Sequence, residues 1–446
     1  MSIDHRHASA SLRSVLLSRS PELLARQLAP KSGGDPLPEL PRDSASADGA
    51  MRRWDTLPHA EGVDGARAEL LDESAADRAE EFARNVENFI GTVKVPVGIA
   101  GPLRVNGVHA QGLYWVPLAT TEAALVASYS RGARLVSEAG GCTAVTINEG
   151  VSRAPGFAFR NIYEAGQFVA WAVANLSALR AVAESTSRYA RMQDMRVSLE
   201  GNHVYLIFDY STGDAAGQNM VTIATQAVCE HIARECPMQA QYSFVEANHS
   251  GDKKASAQSF MSVRGKSVTA EVVIPADLLK RRLHTSPKMM SNYWHMSAVG
   301  GVLSGTIGVQ GHYANGIAAL YLATGQDVAC VAESAVGVTR FELAEDALYA
   351  AVTLPNLIVG TVGGGTVLPS QRACLDIMGL RGEGHSKALA EVCAGLALAG
   401  ELSIVGAIVA GEFTSAHERL ARGVQSPRRS PSSHDSAHSS PEEPAR

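Results

Sequence analysis

The apolar positions of the chain fall into a few distinct rhythms. In AADRAEEFARNVENFI, residues Ala75 to Ile90, they recur at helical spacing and predict a helix. VPVGIAGPLRVNG is extended and turn-rich, with Asn106-Gly107 as a hairpin signal, and Thr120-Thr121 then opens a helix through TTEAALVASYSRGARLV. From about Pro155 to Glu246 the pattern changes. FAFRNI reads as a strand, EAGQFVAWAVANLSALRAVAE as a helix, and MQDMRVSLEG with NHVYLIFDYS as a hairpin. GQNMVTIATQAVCEHIAREC is a second helix and QAQYSFVE a closing strand, so the order is the β-α-β-β-α-β of a ferredoxin-like split βαβ unit. Beyond it Ser267 to Ile274 is a strand, and glycine-rich apolar helix with short strands follows.

The expected fold class is α+β, a large, mainly helical α/β domain carrying an inserted small ferredoxin-like domain, with no Rossmann fold. The expected division is a flexible arm over 1–50, a helical region over 51–86, a large domain over 87–154 and 247–422, the insert at 155–246 and a tail over 423–446. The arm contains the amphipathic LRSVLLSRSPELLARQL, and the tail has almost no apolar residues, which predicts disorder.

Two stretches mimic membrane spans. Met289 to Gln326 has no Asp, Glu, Lys or Arg, but glycines, Gln310, His312 and Asn315 interrupt it. VCAGLALAGELSIVGAIVAG carries Glu401 in its middle, leaving an uncharged half, Leu402 to Gly411, of about half a bilayer. The net charge of -6 and the lack of a basic run in the body of the chain exclude a nucleic-acid partner. Six cysteines without CxxC spacing point to a reducing cytoplasm rather than to disulfides or zinc, and no metal is expected.

No GxGxxG lies between a strand and a helix. Gly-rich turns do occur at Gly213-Asp-Ala-Ala-Gly217-Gln-Asn219 and at Gly360-Thr-Val-Gly363-Gly364-Gly365-Thr366. The first follows a strand and opens a helix, where free amides and the helix dipole favour phosphate, although taken alone an ordinary turn with an Asp cap is the better reading. Taken singly, other polar residues have plain explanations. Glu122 in the first turn of a helix compensates its dipole, Lys253 and Lys254 are loop charges, Asp327 ends an apolar helix, and His417 is a helical histidine.

Taken in order, the segments around them carry more. ENFIGTVKVPVGIAGPL, PLATTEAALVAS, GDAAGQNM, SGDKKAS, ATGQD, GTVGGGT and a histidine after the apolar AGELS helix resemble the motifs of hydroxymethylglutaryl-CoA (HMG-CoA) reductase, over about Glu87 to Arg422. The resemblance implies reduction of HMG-CoA to mevalonate and CoA with two NADPH. By match, Lys253 holds the oxyanion formed on the thioester carbonyl, where a cation in a water-poor site counts most. His417 protonates the departing CoA thiolate, and Glu122 supplies the proton to the alcohol oxygen, a task for a buried or anion-flanked carboxyl. Asp327 lies between Glu122 and Lys253 and couples them.

STSRYAR matches the segment whose serine and arginine, Ser187 and Arg188, hold the 2′-phosphate of NADPH. Asp214, Gly217, Asn219, Gly363 and Gly364 match cofactor-binding positions, and Arg153, Arg131, Arg134, Lys254 and Asp252 match substrate-binding ones. The chain departs from the family pattern at DAAGQN, at Gln310 where an asparagine is common, and at Met296 where a lysine is common. The resemblance further implies sites built between subunits, hence at least a homodimer with ENFIG in the contact, and a soluble, cytoplasmic form without a membrane anchor. Two other functions remain open at this point: NAD-dependent oxidation of mevalonate, and a non-catalytic CoA-binding relative.

Overall fold

The computed structural model describes residues 13, 20–30, 38–58 and 60–412. His417, the C-terminal tail and much of the N-terminal arm lie outside the described residues. Within the arm's amphipathic stretch Pro21–Leu28 is helical, with Ser20 as its N-cap. The chain divides into two compact units, one ending at Thr92 and the next beginning at Val93.

The first unit is helical. Ala47–Asp55, capped by Ser46, and Val63–Leu70 precede a small core of Ala45, Ala50, Ala79 and Phe89. The single helix expected over 75–90 is instead the short Glu73–Asp77, a 3-10 turn at Ala79–Phe82 and irregular backbone. Tertiary partners outcompete the helix there. The carbonyls of Phe89 and Ile90 accept from the Arg53 guanidinium at 3.1 Å and the Trp54 indole at 2.8 Å, and Phe82 stacks on Phe89. Phe89 of ENFIG is thus buried within its own unit.

In the second unit a large sheet has the order β2-β1-β3-β8-β11-β10-β9. Its strands are β1 (Val97–Gly107), β2 (Gln111–Ala119), β3 (Cys142–Arg153), β8 (Gly265–Pro275), β9 (Gly308–Val309), β10 (Gly337–Ala344) and β11 (Ala347–Leu357). β1 runs parallel to β3, β10 parallel to β9, and the other neighbours are antiparallel. The Asn106-Gly107 signal does mark a hairpin, but Asn106 pairs with Gln111, and the turn is displaced to Val108–Ala110. Buried Glu391 causes this: its carboxylate takes the amides of His109 and Ala110, and a side chain on Gly107 would strike it. The β10–β11 hairpin is longer than the short strands expected, because the alanines of ALYAAV and the Glu345-Asp346 turn carry little strand or turn signal.

β3 passes from one sheet to the other. Up to Gly150 it pairs with β8, and Val151–Arg153 pair with β6 (His203–Ser211). The chain then makes β4 (Gly156–Ala158), β5 (Arg191–Glu200), β6 and β7 (Tyr242–Phe244) and returns at Ala247, whose amide bonds the Ala154 carbonyl at 2.8 Å. Apart from the β3 end the order is β7-β4-β6-β5, all antiparallel, which is the ferredoxin-like arrangement. Helices Ile162–Ala174, Leu176–Ser185 and Gln218–Glu235 enclose a separate core around Phe157, Phe168, Leu206 and Phe208. The first two were expected as one helix. Asn175 splits them by taking the Trp171 carbonyl with its side-chain amide.

Ser386–Val409 is the one helix among the described residues long and apolar enough to cross a membrane, and 83% of its most apolar 18-residue stretch is buried inside the fold. Its two glutamates explain the burial. Glu391 serves the β1–β2 turn, and Glu401 accepts from the amides of Gly311 and His312 and from the Thr339 hydroxyl. The helix meets Leu125–Glu138 so closely that a Cβ on Gly132 would lie 1.8 Å from the Ala399 carbonyl oxygen.

Candidate active site

Three motifs that are far apart in sequence pack backbone to backbone. Gly325 of ATGQD ends the helix Tyr313–Thr324 in the left-handed region, and a Cβ there would stand 2.2 Å from the carbonyl oxygen of Gly365 in GTVGGGT. Gln326, buried, exchanges two hydrogen bonds with the backbone of Gly360. Gly360 in turn abuts the DAAGQN turn, where a Cβ would meet the Ala216 nitrogen at 2.5 Å, and the Thr361 amide bonds the Asp214 carbonyl at 2.9 Å. These contacts, rather than a phosphate-binding fingerprint, require the glycines at 325 and 360.

Onto this base the SGDKKAS loop brings Lys253. Its ammonium lies 2.8 Å from Asp327 Oδ2, while Asp327 Oδ1 caps the following 3-10 turn by accepting from the Ala329 amide at 3.0 Å. The hydrogen bond to Asp327 raises the Lys253 pKa above its ordinary value. For Asp327, burial opposes ionisation, but Lys253 and the Ala329 amide outweigh it and hold the carboxyl below its ordinary value. Both shifts favour the charged pair. The Asp327 contribution is present above the ordinary carboxylate pKa and is lost as pH falls through the lowered value; that of Lys253 is lost only as pH rises past its raised one. The pair is therefore charged throughout the neutral range.

Glu122 is elsewhere. It lies exposed in the loop before Leu125–Glu138 rather than in its first turn, with its amide on the Thr120 hydroxyl and its carboxylate accepting from Asn315 Nδ2 at 3.3 Å. Asn315 is in the first turn of Tyr313–Thr324, and Asp327 lies three residues past its last turn. The nine residue steps from Asn315 to Thr324 rise about 14 Å, so within one chain Glu122 and the Lys253–Asp327 pair are apart. The amide that reaches Glu122 is Asn315, not Gln310, which lines an open cleft with Met296, Tyr293 and Ser297.

Among the other expected positions, Asp214 caps neither its own turn nor its own helix. Burial opposes its ionisation, but the amides of Gly384 and Ser386, at 2.8 and 3.1 Å, prevail and lower its pKa, so Asp214 anchors the start of Ser386–Val409. Gly217 (φ +80°) opens Gln218–Glu235 against Thr212, and Asn219 is exposed in the first turn. Gly363 and Gly364 form an exposed left-handed turn. Ser187, Arg188 and Arg191 line a cleft with Ser185, Thr186 and Glu184. The Ser185 and Thr186 hydroxyls donate to the Val182 and Ala183 carbonyls, whereas that of Ser187 only accepts, so two guanidiniums beside the Ser187 hydroxyl fit a phosphate.

The expected substrate arginines are largely engaged within the chain. Arg153 is buried and donates to Asp252 at 2.9 Å, to the Thr222 hydroxyl at 2.8 Å and to Gln218. Arg131 is held by the hydroxyl and carbonyl of Ser403, whereas Arg134 is exposed one turn on. Lys254 is exposed, and its ammonium bonds the Asp252 carbonyl. Asn315, Arg264 and Glu333 were missed, though the last two could have been noticed as charges inside the apolar segments VRGKSV and CVAESAVG.

The fold and site together define a two-part enzyme, with a lysine–aspartate pair between a loop and a helix end of the larger part and an arginine-lined cleft on a ferredoxin-like insert. The family described as hydroxymethylglutaryl-coenzyme A reductase matches residues 50–422. The 3-hydroxy-3-methylglutaryl-coenzyme A reductase of Methanothermobacter thermautotrophicus is 43% identical over 80% of this chain and 90% of its own length, and that of Pyrococcus horikoshii 42% over 78% and 86%. The class II enzyme of Streptococcus pneumoniae bound to NADPH in open conformations shares the fold, with a TM-score of 0.57 at 20% identity, over 80% of this chain and 98% of that one. The chain belongs to the hydroxymethylglutaryl-coenzyme A reductase family.

Proposed function

We propose that the chain reduces HMG-CoA to mevalonate and CoA with two NADPH. The observation that carries this reading is the 2.8 Å pairing of Lys253 with Asp327, a fixed cation at a site where a thioester or aldehyde carbonyl develops negative charge. NADPH supplies the hydrides. Lys253 donates to the carbonyl oxygen, Asp327 keeps the lysine charged and oriented, and Glu122, oriented by Asn315, gives the proton to the alcohol oxygen. His417 is assigned the thiolate by resemblance alone. The Ser187–Arg188 cleft takes the 2′-phosphate, which favours NADPH over NADH, with Asp214, Gly217, Asn219, Gly363 and Gly364 shaping the turns that face the dinucleotide. Arg153, Arg131, Arg134, Lys254 and Asp252 border the substrate.

By this assignment residues 155–246 are the NADPH-binding domain, and 87–154 with 247–422 the substrate domain. A homodimer is the assembly this reading calls for. Glu122 and the Lys253–Asp327 pair sit at opposite ends of one helix and are partly or fully open to water, which supports a second copy joining and covering them. Six free thiols suit a cytoplasmic setting. The deciding experiment is the stoichiometry of NADPH oxidised per CoA thiol released. Two to one is expected; one to one, or no oxidation, would refute the reading.

A further inference from the structure

Asp327 is one of two carboxylates on Lys253. The backbone amide of the lysine donates to Glu333 Oε1 at 3.0 Å, and Glu333 stands six residues after Asp327, on the next turn of the same short helical stretch. Lys253 needs such support, because its φ of +58° is a conformation that L-residues with side chains rarely adopt. Glu333 is completely buried, and its other oxygen accepts from Arg264 Nε at 2.7 Å. Arg264 is equally buried and donates to Asp252 Oδ1 at 2.5 Å, to the Ser152 carbonyl at 2.7 Å and to Gln218 at 3.0 Å.

We propose that Glu333 is a positioning residue for the reacting lysine: with Asp327 it grips Lys253 at both ends, and through Arg264 it ties the lysine's loop to β3 and to the start of Gln218–Glu235. A carboxylate present only to neutralise Arg264 would have no need to take the Lys253 amide. Here one rigid stretch fixes the backbone through Glu333 and the ammonium through Asp327, so the ammonium is aimed before substrate arrives. Arg264 also carries the insert's register into the loop, since Ser152 lies where β3 pairs with β6. The inference rests on the assignment of Lys253 to the oxyanion.

The test uses Glu333→Gln and Glu333→Asp in the full chain. Asp keeps the charge opposite Arg264 but is one methylene too short to hold the Lys253 amide as well. In both variants kcat for HMG-CoA should fall about 100-fold while KM moves less than about threefold, as expected for lost alignment rather than lost binding. NADPH affinity, set at Ser187 and Arg188, should not change. The groups facing Lys253 are Asp327, Asp252, Glu333, Arg264 and Cys330. Slackening the ammonium from Asp327 should move the alkaline limb of the kcat profile toward neutral pH. A purely structural role would lower the melting temperature yet leave kcat per folded molecule and the pH limb in place. That result in Glu333→Asp overturns the proposal, even if Glu333→Gln fails to fold. A Lys253→Ala control separates the two inferences. If it is inactive and the Glu333 variants are normal, only the clamp fails; if it turns over normally, the role of the lysine fails first.

Discussion

The two ends of the helix Tyr313–Thr324 hold different halves of the chemistry. At its start Asn315 holds Glu122, an exposed carboxylate with a single side-chain hydrogen-bond donor among the described residues. Just past its end Asp327 holds Lys253 in an ion pair whose partners are fixed by further backbone bonds. The first end is adjustable and suited to moving a proton. The second is pre-set and suited to stabilising charge. Their separation, about 14 Å of helix from Asn315 to Thr324, gives one chain two half-sites rather than one site under the proposed roles.

The largest effect should come from breaking the rigid end. Lys253→Ala is expected to lower turnover by about a thousandfold or more in both thioester and free-aldehyde reduction, with NADPH binding retained by titration. Breaking the adjustable end should be milder and selective. Glu122→Gln is expected to lower aldehyde reduction about a hundredfold, the range of general acid catalysis, as measured on the free aldehyde. Equal losses in the two variants on both substrates would erase the distinction. Arg188→Ala belongs to neither end and should raise KM for NADPH about tenfold, with kcat for HMG-CoA nearly unchanged. The smallest change is in pH dependence. Asp327 raises the Lys253 pKa, so Asp327→Asn should bring the alkaline limb of the residual activity down in pH, whereas in the unaltered enzyme this pair should produce no inflection near neutrality.

Much of this architecture was legible in the sequence. The alternation of FAFRNI, the hairpin and the two helices announced the ferredoxin-like insert, because half-buried strands and amphipathic helices leave periodic marks. The pairing of Lys253 with Asp327 was legible only through resemblance, as no spacing rule joins residues so far apart. What stayed hidden was decided by tertiary partners. Glu391 displaced the Asn106-Gly107 turn, Arg53 and Trp54 dissolved the helix expected over 75–90, and Asp252 with Gln218 engaged Arg153. The position of Glu122 relative to Asp327 was lost for a related reason. A motif match assigns roles residue by residue, but it does not say which copy of the chain supplies each.

That point can be tested by mixing. Lys253→Ala and Glu122→Gln chains, each inactive or nearly so, are unfolded together, refolded and assayed for HMG-CoA reduction. If each site takes Lys253 and Asp327 from one subunit and Glu122 from the other, half of randomly paired dimers carry one intact site, and about a quarter of wild-type turnover should return. Recovery no greater than the sum of the separate variants would contradict the shared site and return Glu122 and Lys253 to a single chain.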